Sequence, residues 1–204
     1  MRADAPLLLA PLLALVACGG GAPAGGGQVT GQLADEAAAQ ERIAALSGWD
    51  RLFGAPAATI GAANQFGFRA PDYAGSPGAY KAVGSDIFVG RTTVSDVNKA
   101  SFAAAGALAD RIDTLTLGLL IQDPQDAATA KQRFAALIRD FLFQAKAPGA
   151  DVIAAAVEAE APAKGALPGV TWTLARQPYP RVADGRRLIV TFTRAETKSA
   201  TSSS

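Results

Sequence analysis

Three pairs of carboxylates are the residues whose types and spacing could do chemistry: Asp110 with Asp113, Asp123 with Asp126, and Glu158 with Glu160. Two carboxyl groups about 5 to 10 Å apart across a cleft can run acid–base cleavage of a glycosidic bond. Each pair also has a plainer use. Asp110 sits in a turn, where its side chain bonds locally. Asp123 and Asp126 flank Pro124 at a helix start, as a cap and a charge at the positive end of the helix dipole. Glu158 and Glu160 are two apart and point to different helix faces. None follows the calcium-loop pattern of alternating acids around a central Gly. The chain has no histidine, which removes Ser-His-Asp and Cys-His nucleophiles and His-based metal sites. The Ser-x-x-Lys signature is absent, and the glycines form no dinucleotide or phosphate fingerprint. The expectation is a protein without catalytic residues, metal or cofactor, and not an enzyme.

Two groups of residues could bind rather than react. Phe66, Phe68, Tyr73 and Tyr80 are spread through a Gly-, Ala- and Pro-rich stretch over 54–80. That is long for an idle loop, so it is either a packed irregular wrap or a binding loop. Aromatics on a loop can stack on sugars or grip a partner's side chains. Arg186 and Arg187, with Arg176 and Arg181, make a local basic spot. It reads as a solvated strand surface, or as a contact for anionic lipid head groups or an acidic partner. Overall the net charge is +1 with both signs scattered, and no basic stripe suggests nucleic acid.

Residues 1–18 read MRADAPLLLAPLLALVAC, a thin positive start followed by an apolar run too short to span a bilayer. The run closes on Leu15-Val16-Ala17-Cys18. This resembles the lipobox of bacterial lipoproteins. The resemblance covers residues 1–18 alone and implies cleavage before Cys18, with a diacylglycerol thioether and commonly a further acyl chain such as palmitate on the new amino terminus. Such a protein is held at the membrane by its lipid and faces the periplasm. Gly19, rather than Asp, after the cysteine favours the outer membrane over the inner. The alternative is an ordinary secretory signal, cut near Ala22-Pro23-Ala24. Cys18 is the sole cysteine, so no internal disulfide exists, and a lone thiol in an oxidising compartment is a liability unless modified. More than one acyl chain makes anchoring stable.

Positions 18–34 read as the lipidated cysteine and a Gly-rich tether, which as random coil spans on the order of 20 Å. Residues 35–194 read as one domain, and 195–204 as a disordered tail with almost no apolar content. Inside the domain, Asp35–Leu46 reads as a short helix, followed by Trp49, Leu52 and Phe53 as a lid on the core. Leu115, Leu117, Leu119 and Ile121 alternate with Thr114, Thr116, Gly118 and Leu120, which predicts a central strand over 112–122. Phe134, Leu137, Ile138, Phe141 and Leu142 recur at helical spacing after Asp123-Pro124, which predicts a long helix lying on the leucine face. A short strand is expected near 87–89. Residues 99–105 suit either a helix or the first arm of a hairpin, and their position favours the strand. Asp151–Glu160 reads as a second helix capped by Asp151. Alternation at 170–174 and 188–193 predicts a terminal hairpin.

The predicted fold class is α+β, an antiparallel sheet of about four to five strands with a long helix and shorter helices on one face. The order resembles the small helix-and-sheet folds of secretion chaperones, in layout only. The expected role is a lipid-anchored interaction module with an envelope protein as partner. The alternative is a lipoprotein that binds a glycan or apolar molecule through loop 54–80, and the third reading is a minor envelope hydrolase.

Overall fold

The computed structural model describes residues 26–91 and 97–195. Cys18, the apolar run before it, the first part of the tether and the tail beyond Ala195 lie outside the described residues. The chain divides into two compact units at Ala39 and Gln40. The first contains the start of helix α1 (Gly26–Ala45), and the second contains everything from Gln40 on. Helix α1 begins inside the stretch read as a glycine tether, so residues 26–34 are helical and not coil. Alanine- and glutamate-rich sequence from Leu33 onward supplies the helix formers. Ile43 of this helix is 42 % exposed, and packing begins with half-buried Leu46 and buried Trp49.

The second unit is α+β. Its sheet is antiparallel and has eight strands rather than four to five: β1 (Ala74–Ser76), β2 (Ala79–Val83), β3 (Ile87–Phe88), β4 (Lys99–Gly106), β5 (Thr114–Ile121), β6 (Ala163–Leu167), β7 (Val170–Pro178) and β8 (Arg186–Arg194). The order across the sheet is β1-β2-β4-β5-β8-β7-β6, with β3 also paired to β4. The strands absent from the sequence reading are β2 and the two edges, β1 and β6. β1 is AGS and β6 is AKGAL. Neither holds a β-branched or aromatic residue, so propensity says nothing there. Tight turns and the ladder hold them instead. Gly78 (φ +88) turns β1 into β2, and Gly169 (φ +82) after Pro168 turns β6 into β7. Both glycines occupy the left-handed region that the turn demands.

The stretch over 54–80 is not an irregular loop. It contains all of helix α3 (Pro56–Gln65), opened by Pro at its first position, and then most of the β1–β2 hairpin. Helix α2 (Gly48–Gly54) precedes it and buries Trp49, Leu52 and Phe53. The alanines of 99–105 sit in a strand. Ala100 and Ala104 flank Phe102 on the core face, and seven register pairs with β5 outweigh local helix preference.

All of the packing faces one way. Leu115, Leu117, Leu119 and Ile121 of β5 are buried, as are Leu188, Val190 and Phe192 of β8. Helix α4 (Ala127–Gln144) lies on this row with Phe134, Ile138, Phe141 and Leu142 no more than 1 % exposed. Each such side chain contributes about 1.5–3 kcal/mol by leaving water. Trp49 meets Phe192 at 5.0 Å between ring centroids, and Phe68 meets Phe102 at 5.7 Å, so α2 and the segment after α3 close the same side.

Two polar devices set the angle between sheet and helix. Asp123 accepts from the Gln125 N–H at 3.0 Å, and Pro124–Asp126 make one 3-10 turn before α4. Asn98, 1 % exposed, accepts from the N–H groups of Gln122 and Asp123 at 2.8 and 2.9 Å and donates to the Asp123 carbonyl at 3.1 Å. Helix α5 (Ala150–Ala159) is entered through Gly149 (φ +94). Asp151 is not its cap, because its carboxylate accepts from Arg139 Nε at 3.1 Å.

Candidate functional site: the uncovered sheet face

Strands that bury one row of side chains present the next row outward. Among the described residues no helix lying wholly in the second unit covers that second face. It is built from register. Thr114, Thr193 and Thr171 stand abreast on β5, β8 and β7, and one step along Thr116, Thr191 and Thr173 do the same. Thr suits this place because its branched β-carbon fits a pleated surface while the hydroxyl stays wet. Beyond the threonines come Ser101, Gly118 and Ile189 in one row, then Lys99, Leu120 and Arg187 in the next.

Gly118 interrupts the most central strand. Pairing on both sides runs one to one through it, so it marks no bulge. A strand-interior Gly costs roughly 0.5–1 kcal/mol against Ala. Gly118 lies in the floor of a pit of about 300 Å³, bordered by Asp86, Lys99, Ser101, Leu120, Arg187 and Ile189. A β-carbon on Gly118 would come within 2.5 Å of Ser101 Oγ, so the serine hydroxyl leans across the floor.

The electrostatics of this face are one-sided. The strands direct Lys81, Lys99, Lys164 and Arg187 into it, and no carboxylate. Asp86, from the β2–β3 connection, adds one acid at the pit. Lys99 Nζ lies 5.9 Å from the centroid of Phe88, and the Arg187 guanidinium 5.1 Å from that of Tyr179. An aromatic face steadies a cation without neutralising it. Among the described residues neither cation makes an ion pair. Phe88 is itself 72 % exposed beside the pit.

The residues singled out in the sequence fall elsewhere, with one exception. Phe68 is fully buried against Phe102, so it cannot touch a ligand. Phe66 is half-buried with its ring edge toward Phe141 at 6.4 Å. Tyr73 stacks on Tyr80 at 6.0 Å and donates its hydroxyl to the Arg111 carbonyl at 3.0 Å. Burial pushes the Tyr73 phenol up, Asp113 adds to this and Arg111 offsets part of it. These aromatics form packing, not a binding cluster.

Arg186 and Arg187 point to opposite faces. Arg187 belongs to the pit. Arg186 turns to the helix side and meets both Glu160 oxygens at 2.5 Å. Lys131 reaches the same carboxylate at 3.0 Å and Arg176 at 3.4 Å. The Arg186 hydrogen bonds, helped by Lys131 and opposed by burial, hold the Glu160 carboxyl down at about 2. Glu160 thus locks α5 to β8 and β7. It has no shared site with Glu158, whose carboxylate accepts from Arg139 at 3.2 Å. Asp113 pairs with Arg111 at 3.1 Å and accepts from the Ala107 N–H at 2.8 Å. Asp123 accepts from the Gln125 N–H and Asp126 from the Arg91 N–H, so that pair, like the glutamates, is divided between separate structural duties.

Sequence reasoning missed Gly118 and Lys99. The signal was present in the alternation: a Gly on the outward row of a strand otherwise rich in Leu and Thr. Among the described residues no group of three or more acids or thiols could hold a metal ion, and no helix is long and apolar enough to cross a membrane. No family model, no curated protein and no solved structure matches the chain.

Proposed function

We propose that this chain is a lipid-anchored interaction protein of the bacterial envelope, tethered through Cys18, facing the periplasm from the outer membrane, and docking an envelope protein on its uncovered sheet face. The observation that carries the docking surface is the charge of that face, with four cations from the strands against the one carboxylate of Asp86 among the described residues. The fitting partner presents an acidic, polar surface. Six threonine hydroxyls in two rows, each a donor and an acceptor, supply hydrogen bonds without a large apolar patch. Binding of this kind gains on-rate and specificity from charge and weakens with salt. The anchor rests on the lipobox resemblance and on Cys18 being the one cysteine. No residue is assigned a catalytic, metal or cofactor role.

The test is photo-crosslinking in living cells from a probe at Thr173, on the open face, and from a second at Phe143, 81 % exposed on α4. One dominant envelope protein captured from Thr173, and lost with Cys18→Ala, is the expected result. Capture from Phe143 alone, or from neither position, would overturn the reading.

A second reading, a lipoprotein that binds a small ligand, is favoured by one observation. The loop that first suggested it is packed away, but the pit at Gly118 has the size and mixed lining of a ligand site.

A further inference from the structure

We infer that the Gly118 pit binds the head of a zwitterionic phospholipid, its phosphate between Lys99 and Arg187, its ammonium toward Asp86 and the start of its tail over Leu120 and Ile189. This rests on the second reading above and is independent of whether a protein docks on the face.

Four features point the same way. First, Gly118 leaves the backbone of the central strand bare on this face without a bulge, with only the flexible Ser101 hydroxyl leaning over it, so a ligand can come close to the backbone there. Second, Lys99 and Arg187 stand on the two strands flanking Leu120 in one row. Two strand spacings separate their backbones by about 10 Å, and both side chains line the same pit. Each is steadied by an aromatic ring and left without a counter-ion among the described residues. A phosphate diester offers oxygens to both, and an Arg fork suits it. Third, Asp86 gives the pit a negative side, which a simple anion would find repulsive and an ammonium would find favourable. Fourth, beside the hydroxyls of Ser101 and Thr116 the lining includes the aliphatic Leu120 and Ile189, with the exposed Phe88 ring next to it. A volume of about 300 Å³ holds a head group and the first carbons of its chains, not a whole lipid.

The pit can be filled without touching the core. Gly118→Val adds a β-branched side chain on the outward row, and the clash falls on the flexible Ser101 hydroxyl. The experiment is titration of the full chain carrying Cys18→Ala with dihexanoyl phosphatidylethanolamine below its micelle concentration, read by amide chemical shifts. Saturable shifts at Ser101, Gly118 and Ile189 are expected. Gly118→Val should abolish them without lowering Tm, and Arg187→Gln or Lys99→Gln should weaken binding by about tenfold or more each, the scale of a charge-assisted hydrogen bond. Wild-type affinity in Gly118→Val would overturn the site. Dihexanoyl phosphatidylglycerol binding as tightly would overturn the zwitterionic head and the place of Asp86. Inorganic phosphate binding as tightly would show a free anion site and overturn the lipid. Thr173 crosslinking that succeeds while this titration fails would leave the docking surface standing and remove the lipid site.

Discussion

Leu117 and Thr116 are neighbours in one strand and lead opposite lives. Leu117 is fully buried under α4, in a row with Phe102, Val190 and Leu174. Thr116 faces out, in a row with Thr191 and Thr173. The same backbone ladder carries both, so the two faces differ only in side-chain chemistry. One face is aliphatic and aromatic and supplies stability. The other spends central positions on Thr, Ser, Gly, Lys and Arg, which contribute little to stability and much to contact. A sheet with one covered face needs no charge or pit on the other to fold. Their presence there is what directs attention to that face.

The largest expected effect tests the covered face. Phe134→Ala should cost about 3–5 kcal/mol in urea denaturation, since its ring is fully buried between α4 and the sheet. A cost near that of a surface substitution would break the distinction between faces. Next comes Glu160, which ties the helix layer to β8. Its carboxyl sits at about 2 against an ordinary 4.5. A lowered folded value adds stability that is complete above pH 4.5 and disappears as the pH falls toward 2. At roughly 1.4 kcal/mol per pKa unit the total is about 3 kcal/mol. Glu160→Gln should lose about that much at neutral pH and flatten the acid limb of the stability curve between pH 4.5 and 2. An unchanged acid limb would place the lock elsewhere. Asn98→Ala should cost about 1–3 kcal/mol by leaving two N–H groups without their acceptor. It should also speed hydrogen exchange at Gln122 and Asp123. The smallest effect sharpens the comparison from the open side. Thr191→Ala should shift stability by less than about 1 kcal/mol, while weakening partner capture from Thr173.

The covered face was the part written plainly in the sequence. Alternating leucines at 115–121 and the 3.6-residue run from Phe134 to Leu142 specified β5, α4 and their contact, because burial imposes a period. Asp123 showed its capping role by standing before Pro124. The rest lacked a local signal. β6 is a strand because β7 pairs with it, not because AKGAL prefers one. Helix α3 was hidden by Gly, Ala and Pro in PAATIGAANQ, where Ile60 is the one large apolar anchor. Asp151 resembled a cap, but the left-handed Gly149 two residues earlier took that position and left Asp151 to Arg139. The Glu160 lock unites residues 131, 176 and 186, which no short window contains. Arg186 and Arg187 looked like one basic spot, although strand alternation already assigned them to opposite sides. The pit is legible only once β4 and β8 are known to flank Gly118.

The strand order has a consequence for how the chain comes to be folded. β4 and β5 are joined by a short turn, and so are β6 and β7, while β5 and β8 are joined through everything from 122 to 185. The central seam is therefore the least local pairing in the sheet, and seams of high contact order close slowly. During synthesis the amino-terminal half emerges first. Until residues 186–194 arrive, the far edge of Thr114–Ile121 is a row of unpaired amides and carbonyls on TLTLGLLI, a segment without charge or proline. Such an edge templates pairing with other chains. A chain truncated after α5 should aggregate through this strand, so the middle of the finished sheet is its most vulnerable edge while it is being made.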